Sequence, residues 1–484
     1  MRARVLRYQH ARRRKCFLLS GIAFLVALAF STTHLYLPRG SNFEVSPPPA
    51  HSGTFPSLRE IRTHSNTGII EKWPALSLAE QRLHRQVIVH RGLSGNFCDE
   101  VLPESSSEAG LRALNWGYGI LEVDVAVDRE ENLLVIHDKN GFRQTQGQHL
   151  WRDVRFDELA DGLKRYVWRK IENGQYTVEA LETSFFVRSL DDYIAHTVAK
   201  YPGATLLLDC RDNDPIPTIR HLSNRPELFK KVIVQIYDFG FSSGYDFVRR
   251  IEASGAAPGW QNIHLVISPH PDGISKLPDI DENDPLNANA TLTAVWQWAN
   301  SFENLGLKIF GADVPQTGFH KHYDPFTRTV SHDHFPDERL NFQERLAVFY
   351  DWVLHQFAIE YKRRHPRRLL IAPASTYTVG VAGDLLRSAF HTGMLTALDP
   401  DDLRHRMFLD ASLPQTVFEC GADAAISDRP HDAVAYLSNG RRLKAPEGYR
   451  YPPNEVGDFG LPQFRREIGR KDQPHGCYPE PIAV

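Results

Sequence analysis

The stretch Ile120-Leu121-Glu122-Val123-Asp124-Val125 combines an apolar, strand-like run with two carboxylates. Successive side chains on a strand point to opposite faces, so Glu122 and Asp124 lie on the same face. Two carboxylates on one face of an apolar strand cannot be buried bare without a large energetic penalty. A divalent cation removes that penalty, and carboxylate oxygens are the ligands that Mg²⁺ and Ca²⁺ prefer. The stretch therefore predicts a cation site inside an α/β fold.

Two further apolar runs end in histidine on either side of this stretch. They are Val87-Ile88-Val89-His90 and Leu133-Leu134-Val135-Ile136-His137, the second followed by Asp138. Histidine exchanges protons near neutral pH and suits general acid-base catalysis. A single histidine at a strand end is more often a polar cap, and a Glu-x-Asp pair on an exposed sheet face is ordinary. Their combination within residues 90–138 favours metal-assisted cleavage of a phosphodiester.

Short β-rich runs alternate with longer helical segments from residue 87 onward, which is typical of a parallel α/β fold. Ten runs are predicted as strands: Val87–His90, Ile120–Val127, Leu133–His137, Thr205–Asp209, Val232–Ile236, His264–Ile267, Lys308–Gly311, Leu369–Ala372, Met407–Asp410 and Ala424–Ile426. The segment Glu130-Glu131-Asn132 is too short for a crossover helix, which indicates a hairpin at that point. A modified (β/α)₈ barrel is the predicted fold, and active sites of such barrels lie at the C-terminal ends of the strands.

The motifs resemble those of the glycerophosphodiester phosphodiesterase family, one of the phospholipase-C-like phosphodiesterase barrels. The family pattern of His-Arg-Gly, Pro-Glu-Asn-Thr, Glu-x-Asp and His-Asp corresponds here to His90-Arg91-Gly92, Pro103-Glu104-Ser105-Ser106, Glu122-Val123-Asp124 and His137-Asp138. The family's Glu-x-Lys strand corresponds to Asp209-Cys210-Arg211. The last family strand resembles Gly421-Ala422-Asp423-Ala424-Ala425-Ile426-Ser427-Asp428-Arg429-Pro430. The resemblance spans residues 87–435 and is weakest between 240 and 405.

The resemblance and the site chemistry together imply a role for each of these residues. Glu122, Asp124 and Asp209 are expected to hold one divalent cation, Mg²⁺ or Ca²⁺. His90 and His137 are expected to form the acid-base pair, in an order that the sequence leaves open. Arg91 and Arg211 are expected to contact the substrate phosphate. Glu104 is expected either to be a further ligand or to orient Arg91. In the family the attacking hydroxyl can be the substrate's own neighbouring glycerol oxygen, which gives a cyclic phosphate.

Departures from the family pattern leave the substrate open. Ser105-Ser106 replaces Asn-Thr, and Asp209 is one methylene shorter than the family glutamate. An Asp-x-Lys strand resembles the related sphingomyelinase D-like phospholipases. The expected function is metal-dependent hydrolysis of glycerophosphodiesters or lysophospholipids. The alternatives are a sphingomyelinase D-like or lysophospholipase D activity and a catalytically silent, membrane-tethered binding barrel.

The N-terminus predicts a membrane anchor. Residues 1–15 contain seven basic residues and precede an apolar segment over 16–37, long enough to span a bilayer. We expect a single-pass type II protein with a stalk over 38–83, a barrel over 84–440 and an extension over 441–484, its catalytic domain in the lumen or outside the cell. The alternative is a cleaved signal peptide, ending near Ala27-Leu28-Ala29, and a secreted enzyme.

Charge and composition exclude some classes of function. The chain has 484 residues and a formal net charge of −3, so it has no general attraction to nucleic acid. Five cysteines form no close-spaced metal motif. Asn289-Ala290-Thr291 is an N-glycosylation sequon, consistent with a lumenal or external domain.

Overall fold

The structure is a computed structural model that describes residues 68–83, 86–93, 102–141, 144–145, 147, 149–158, 162–170, 176–210, 214–277, 280, 284, 286–315, 323–325, 329–330, 342–373, 422–427 and 430. The predicted transmembrane segment, the strand Met407–Asp410 and the extension over 441–484 lie outside these residues, as does Arg211. Within them, no helix is both long enough and apolar enough to cross a bilayer.

Strands and helices alternate along the described chain. The strands are β1 Gln86–Val89, β2 Ile120–Val127, β3 Leu133–Val135, β4 Gly162–Lys170, β5 Tyr176–Phe186, β6 Thr205–Cys210, β7 Val232–Tyr237, β8 His264–Ser268, β9 Ile309–Asp313, β10 Tyr323–Asp324, β11 Thr329–Val330, β12 Leu369–Pro373 and β13 Ala424–Ser427. The α-helices are α1 Ile69–Ala75, α2 Leu78–Leu83, α3 Ser107–Asn115, α4 Leu190–His196, α5 Ile216–Ser223, α6 Gly244–Ala253, α7 Pro271–Ile274, α8 Ala288–Glu303 and α9 Phe342–Arg364.

Eight of these strands close into a parallel barrel. Their order is β1-β2-β6-β7-β8-β9-β12-β13, and β13 pairs with β1 to complete the circle. Every neighbouring pair in this circle is parallel. The predicted barrel is therefore confirmed, and each described strand prediction overlaps an observed strand.

Apolar side chains fill the closed end of the barrel. Residues of all eight barrel strands contribute to one core, whose members include Ile88, Leu207 and Ile371. Ile69, Ile70 and Trp73 of α1 pack into this same core and cover its N-terminal end. Part of the segment predicted as a stalk over 38–83 therefore packs against the barrel. Sequence patterning missed this because Pro74 interrupts a helix of only seven residues.

A β-rich excursion separates β2 from β6. As predicted, β3 folds back antiparallel onto β2. A longer hairpin, β4 with β5, was not predicted from the sequence. Its signal is Asn173-Gly174, a favoured hairpin dipeptide, between two runs rich in β-branched and aromatic residues.

Candidate active site

Three carboxylates meet at the mouth of the barrel. Glu122 and Asp124 lie on one face of β2, and Asp124 pairs in register with Asp209 of β6. One oxygen from each carboxylate lies within 4.8 Å of the other two. Glu122 and Asp124 are buried, whereas Asp209 is half-buried. The structure therefore brings together the three residues predicted as metal ligands.

A tight turn after β1 directs His90 and Arg91 at this cluster. Arg91 and Gly92 adopt left-handed backbone angles, with φ of 49° and 69°. A side chain at Gly92 would also place its Cβ 2.9 Å from the Tyr193 hydroxyl, so glycine is needed there. The turn lets the Arg91 amide donate to Glu122 Oε2 at 2.9 Å. His90 Nε2 lies 3.8 Å from the same oxygen.

The Arg91 guanidinium lies between two buried acids. Its Nε is 3.5 Å from Asp124 Oδ2, and its Nη1 is 3.3 Å from Glu104 Oε2. Glu104 is held near Arg91 because the Ser105 amide donates to the Arg91 carbonyl at 2.9 Å. Of the two roles predicted for Glu104, this contact corresponds to the orientation of Arg91.

Asp138 fixes the orientation of the second histidine. His137 Nδ1 lies 2.6 Å from Asp138 Oδ1. An ionised Asp138 carboxylate only accepts hydrogen bonds, so this pairing places the ring hydrogen of His137 on Nδ1. The Trp151 indole donates to the Asp138 carbonyl at 2.6 Å, which anchors the segment that follows β3.

Gln144 links the two halves of the site, and sequence reasoning missed it. Its side-chain oxygen accepts from the amides of His137, at 3.0 Å, and Asp138, at 2.7 Å. Its side-chain nitrogen donates to Glu104 Oε1 at 2.7 Å. Gln144 is 1% exposed. It therefore joins the backbone beside His137 to the acid that holds Arg91.

Tyr237 is a second residue that the sequence did not single out. It ends β7, and its hydroxyl donates to Asp209 Oδ2 at 3.0 Å. This bond fixes a carboxylate that is one methylene shorter than the glutamate of the resembling family. A tyrosine at the C-terminal end of a barrel strand is the available sequence signal, because such ends line the site.

The electrostatics of the cluster favour a bound cation. Burial, together with the Asp124 and Asp209 charges, raises the pKa of Glu122 to about 8, against the opposing effect of His90. Three oxygen donors in mutual reach match the ligand chemistry of Mg²⁺ and Ca²⁺. Glu122, Asp124 and Asp209 thus form a candidate acidic metal site.

Residues 90–210 match the model of the glycerophosphoryl diester phosphodiesterase family. That segment includes the carboxylate cluster, both histidines, Arg91, Glu104 and Gln144. The match covers 121 of the 484 residues of the chain. The resemblance predicted from the sequence is confirmed, and the family is one of phosphoric diester hydrolases.

Two curated relatives are similar to parts of this chain. A glycerophosphodiester phosphodiesterase from Bacillus altitudinis is 29% identical over 126 residues, which cover 24% of this chain and 48% of the relative. One from Caldanaerobacter subterraneus subsp. tengcongensis is 26% identical over 195 residues, covering 37% of this chain and 76% of the relative. The chain thus spans about half the length of the Bacillus relative.

Similar solved structures are more distant in sequence. A glycerophosphoryl diester phosphodiesterase from Parabacteroides distasonis has a TM-score of 0.38 at 14% sequence identity. The match covers 75% of this chain and 91% of the Parabacteroides chain. A glycerophosphodiester phosphodiesterase from Agrobacterium tumefaciens has a TM-score of 0.37 at 14% sequence identity. The match covers 73% of this chain and 99% of the Agrobacterium chain.

We expect cation binding to stabilise the protein more at about pH 8 than at about pH 6. The folded-state pKa of Glu122, about 8, lies above its ordinary value of 4.5. Protonated Glu122 therefore stabilises the metal-free fold fully below pH 4.5, and this contribution is lost as the pH rises through about 8. The check is thermal unfolding with chelator and with Mg²⁺ or Ca²⁺ at both pH values.

Glu122→Gln is the matched variant for this prediction. It should raise the metal-free melting temperature at pH 8 and weaken the response to cation. A wild-type protein whose metal response is the same at both pH values would argue against a cation at this cluster.

We also expect Gln144→Glu to lower kcat/KM for a phosphodiester by about 10- to 100-fold, the usual range for partners that orient a metal site. The substitution keeps the acceptor for the His137 and Asp138 amides but sets a carboxylate against Glu104, which loosens Arg91. Gln81→Glu is the matched control, since Gln81 is equally buried at the closed end of the barrel and donates to the Trp73 carbonyl. Equal losses in the two variants would reduce Gln144 to a stability role.

Proposed function

We propose that this chain is a divalent-cation-dependent phosphodiesterase that hydrolyses glycerophosphodiesters or lysophospholipids. One observation carries the proposal. Three carboxylates suited to a cation lie beside His90 and Arg91 at a barrel mouth, and His137 follows the strand that pairs with β2, all within a segment that matches a phosphodiesterase family. A phosphodiester needs charge neutralisation at phosphorus and proton transfer at two oxygens, and this set of residues can supply both.

Glu122, Asp124 and Asp209 would hold the cation. When bound, Mg²⁺ or Ca²⁺ neutralises phosphate charge and polarises the phosphorus for attack. Arg91, braced by Glu104 and Asp124, would make a charge-assisted hydrogen bond to a phosphate oxygen. Arg211 would make a second contact of this kind.

His90 and His137 would move the protons. One takes the proton of the attacking hydroxyl, and the other gives a proton to the departing alkoxide. Asp138 holds the His137 ring by its Nδ1 hydrogen and stabilises the imidazolium that forms when Nε2 accepts a proton. Both side chains are partly exposed, at 20% for His90 and 14% for His137, so substrate can reach them.

A sphingomyelinase D-like or lysophospholipase D activity is the second candidate. The observation that favours it is Asp209, the shorter carboxylate, held by Tyr237. Both activities would use the same cation and histidines and release the same head-group alcohol; they differ in the alcohol that stays esterified to the phosphate.

We further propose that residues 16–37 anchor the protein in a membrane, with the barrel on the lumenal or external side. The seven basic residues before the apolar segment support this orientation. An anchored barrel would meet lipid-derived phosphodiesters at the membrane surface.

The test of function is turnover of glycerophosphocholine, lysophosphatidylcholine and sphingomyelin by the purified protein with saturating Mg²⁺ or Ca²⁺. We expect glycerol 3-phosphate and choline from the first substrate. Release of choline from sphingomyelin but not from glycerophosphocholine would favour the alternative activity. His90→Ala and His137→Ala should each lower kcat by about 10²- to 10⁴-fold while the protein stays folded.

His264→Ala is the matched control for the histidine variants. His264 lies at the start of β8, at the opposite end of the barrel, and its Nδ1 lies 3.0 Å from the Phe229 carbonyl. The His264→Ala variant should keep kcat within about twofold of the wild-type value. No turnover of any of the three substrates by metal-saturated wild-type protein would rule the proposal out.

The topology predicts glycan at Asn289 when the full chain is expressed in eukaryotic cells. Asn289 is exposed in the first turn of α8, so its side chain is accessible. A glycosidase-sensitive mass shift that Asn289→Gln removes is the expected result. An unmodified chain whose barrel is digested by protease outside sealed microsomes would reverse the orientation.

A further inference from the structure

Three polar side chains line the barrel interior on neighbouring strands, beyond the segment that matches the family. They are Gln235 of β7, Ser268 of β8 and Asp313 of β9. Gln235 pairs in register with Val266, and Asp313 pairs with Ile371, both of which belong to the interior core. Ser268 is two residues beyond Val266 and therefore faces inward as well.

This polar group lies next to the carboxylate cluster. Gln235 precedes Tyr237 by two residues and shares its face of β7. The Tyr237 hydroxyl in turn contacts Asp209. Ser268 pairs in register with Tyr237, so the polar group lies beside the carboxylate cluster on the barrel interior.

Two oxygens of this group have no hydrogen-bond partner among the described residues. Asp313 is 2% exposed, and its Oδ2 accepts from Gln235 Nε2 at 2.5 Å. Its Oδ1 has no partner, and neither does the Oγ of Ser268, which is fully buried. Buried polar atoms are nearly always satisfied, so each of these oxygens is expected to have a partner beyond the described residues, and a bound ligand can supply it.

The charge state of Asp313 narrows the chemistry of that group. Burial, with the Asp209 charge, raises the pKa of Asp313 to about 8, against the effects of Gln235 and His90. Asp313 is then mainly a neutral acid at pH 7, with Oδ1 free to donate and Ser268 able to donate or accept. Uncharged donors and acceptors beside a carboxylate cluster suit an uncharged hydroxyl group and disfavour a second anion.

We propose that Asp313, Ser268 and Gln235 form a hydroxyl subsite, which binds a free hydroxyl of the alcohol esterified to the phosphate. This inference rests on the proposed phosphodiesterase function and deepens it. The subsite selects phosphodiesters whose alcohol is a polyol with an unesterified hydroxyl, as in a glycerol ester. An ordered water molecule in the subsite would form the same hydrogen bonds as a substrate hydroxyl.

The first test compares two substrates of the metal-saturated enzyme. Glycerophosphocholine has free hydroxyls, and bis(4-nitrophenyl) phosphate has none. Ser268→Ala should lower kcat/KM for glycerophosphocholine about three- to tenfold, the effect of one lost hydrogen bond. Asp313→Val should lower it at least tenfold, and Asp313→Asn, which restores a donor, should recover part of the loss. The value of kcat/KM for bis(4-nitrophenyl) phosphate should change less than about twofold in all three variants.

Thr205→Val is the matched control. Thr205 is a fully buried residue of the same barrel whose Oγ1 also has no partner among the described residues, but it begins β6 at the closed end. The Thr205→Val substitution should leave kcat/KM unchanged for both substrates. Equal losses for both substrates in the Ser268 and Asp313 variants would show a structural role, and no loss in either would show that water alone occupies the subsite. Both results overturn the proposal.

The second test uses only the wild-type chain and does not depend on turnover. Calorimetry with Mn²⁺-loaded protein should show glycerol 3-phosphate binding about tenfold more tightly than propyl phosphate, which has the same length and phosphate but no hydroxyl. Equal affinities would overturn the subsite even if glycerophosphodiesters are hydrolysed. A protein that binds the two phosphates differently but hydrolyses no phosphodiester would instead contradict the proposed function.

Discussion

The mutual repulsion of three carboxylates inside a barrel mouth is the constraint on which the rest of the site depends. Glu122, Asp124 and Asp209 approach within 4.8 Å, and two of them are buried. Burial, together with the charges of Asp124 and Asp209, raises the pKa of Glu122 to about 8, so without a cation the cluster keeps a proton. The neighbouring groups are arranged accordingly: the Arg91 amide and guanidinium contact the cluster, and His90 faces it.

A surrounding layer of neutral polar groups holds this charged centre in place. Gln144 connects the backbone at His137 to Glu104, and Tyr237 restrains Asp209. These groups carry no net charge. They therefore orient the acidic side chains without changing the negative charge that the cation neutralises. Part of the site is contributed by loops, but each of these loops is tied by a side-chain bond to a barrel strand or to a neighbouring loop.

Much of the fold and of the acid-base centre could be predicted because both follow local patterns. Strand periodicity located the described barrel strands, and alternation placed Glu122 and Asp124 on one face. The site residues that the sequence did not predict are held by contacts between residues distant in sequence. Gln144 is 40 residues from Glu104, and Gln235 is 78 residues from Asp313; no periodicity marks such pairs. The packing of α1 against the closed barrel end also escaped prediction, since a helix with only a few buried apolar residues has too short a pattern.

Anomalous scattering from a crystal of the Mn²⁺-soaked protein would test the central claim most directly. The account predicts one strong peak at the barrel mouth, within about 2.6 Å of an oxygen from each of Glu122, Asp124 and Asp209, and its loss in Asp124→Asn. A peak elsewhere, or none at saturating Mn²⁺, would contradict the metal centre and the phosphodiesterase chemistry built on it.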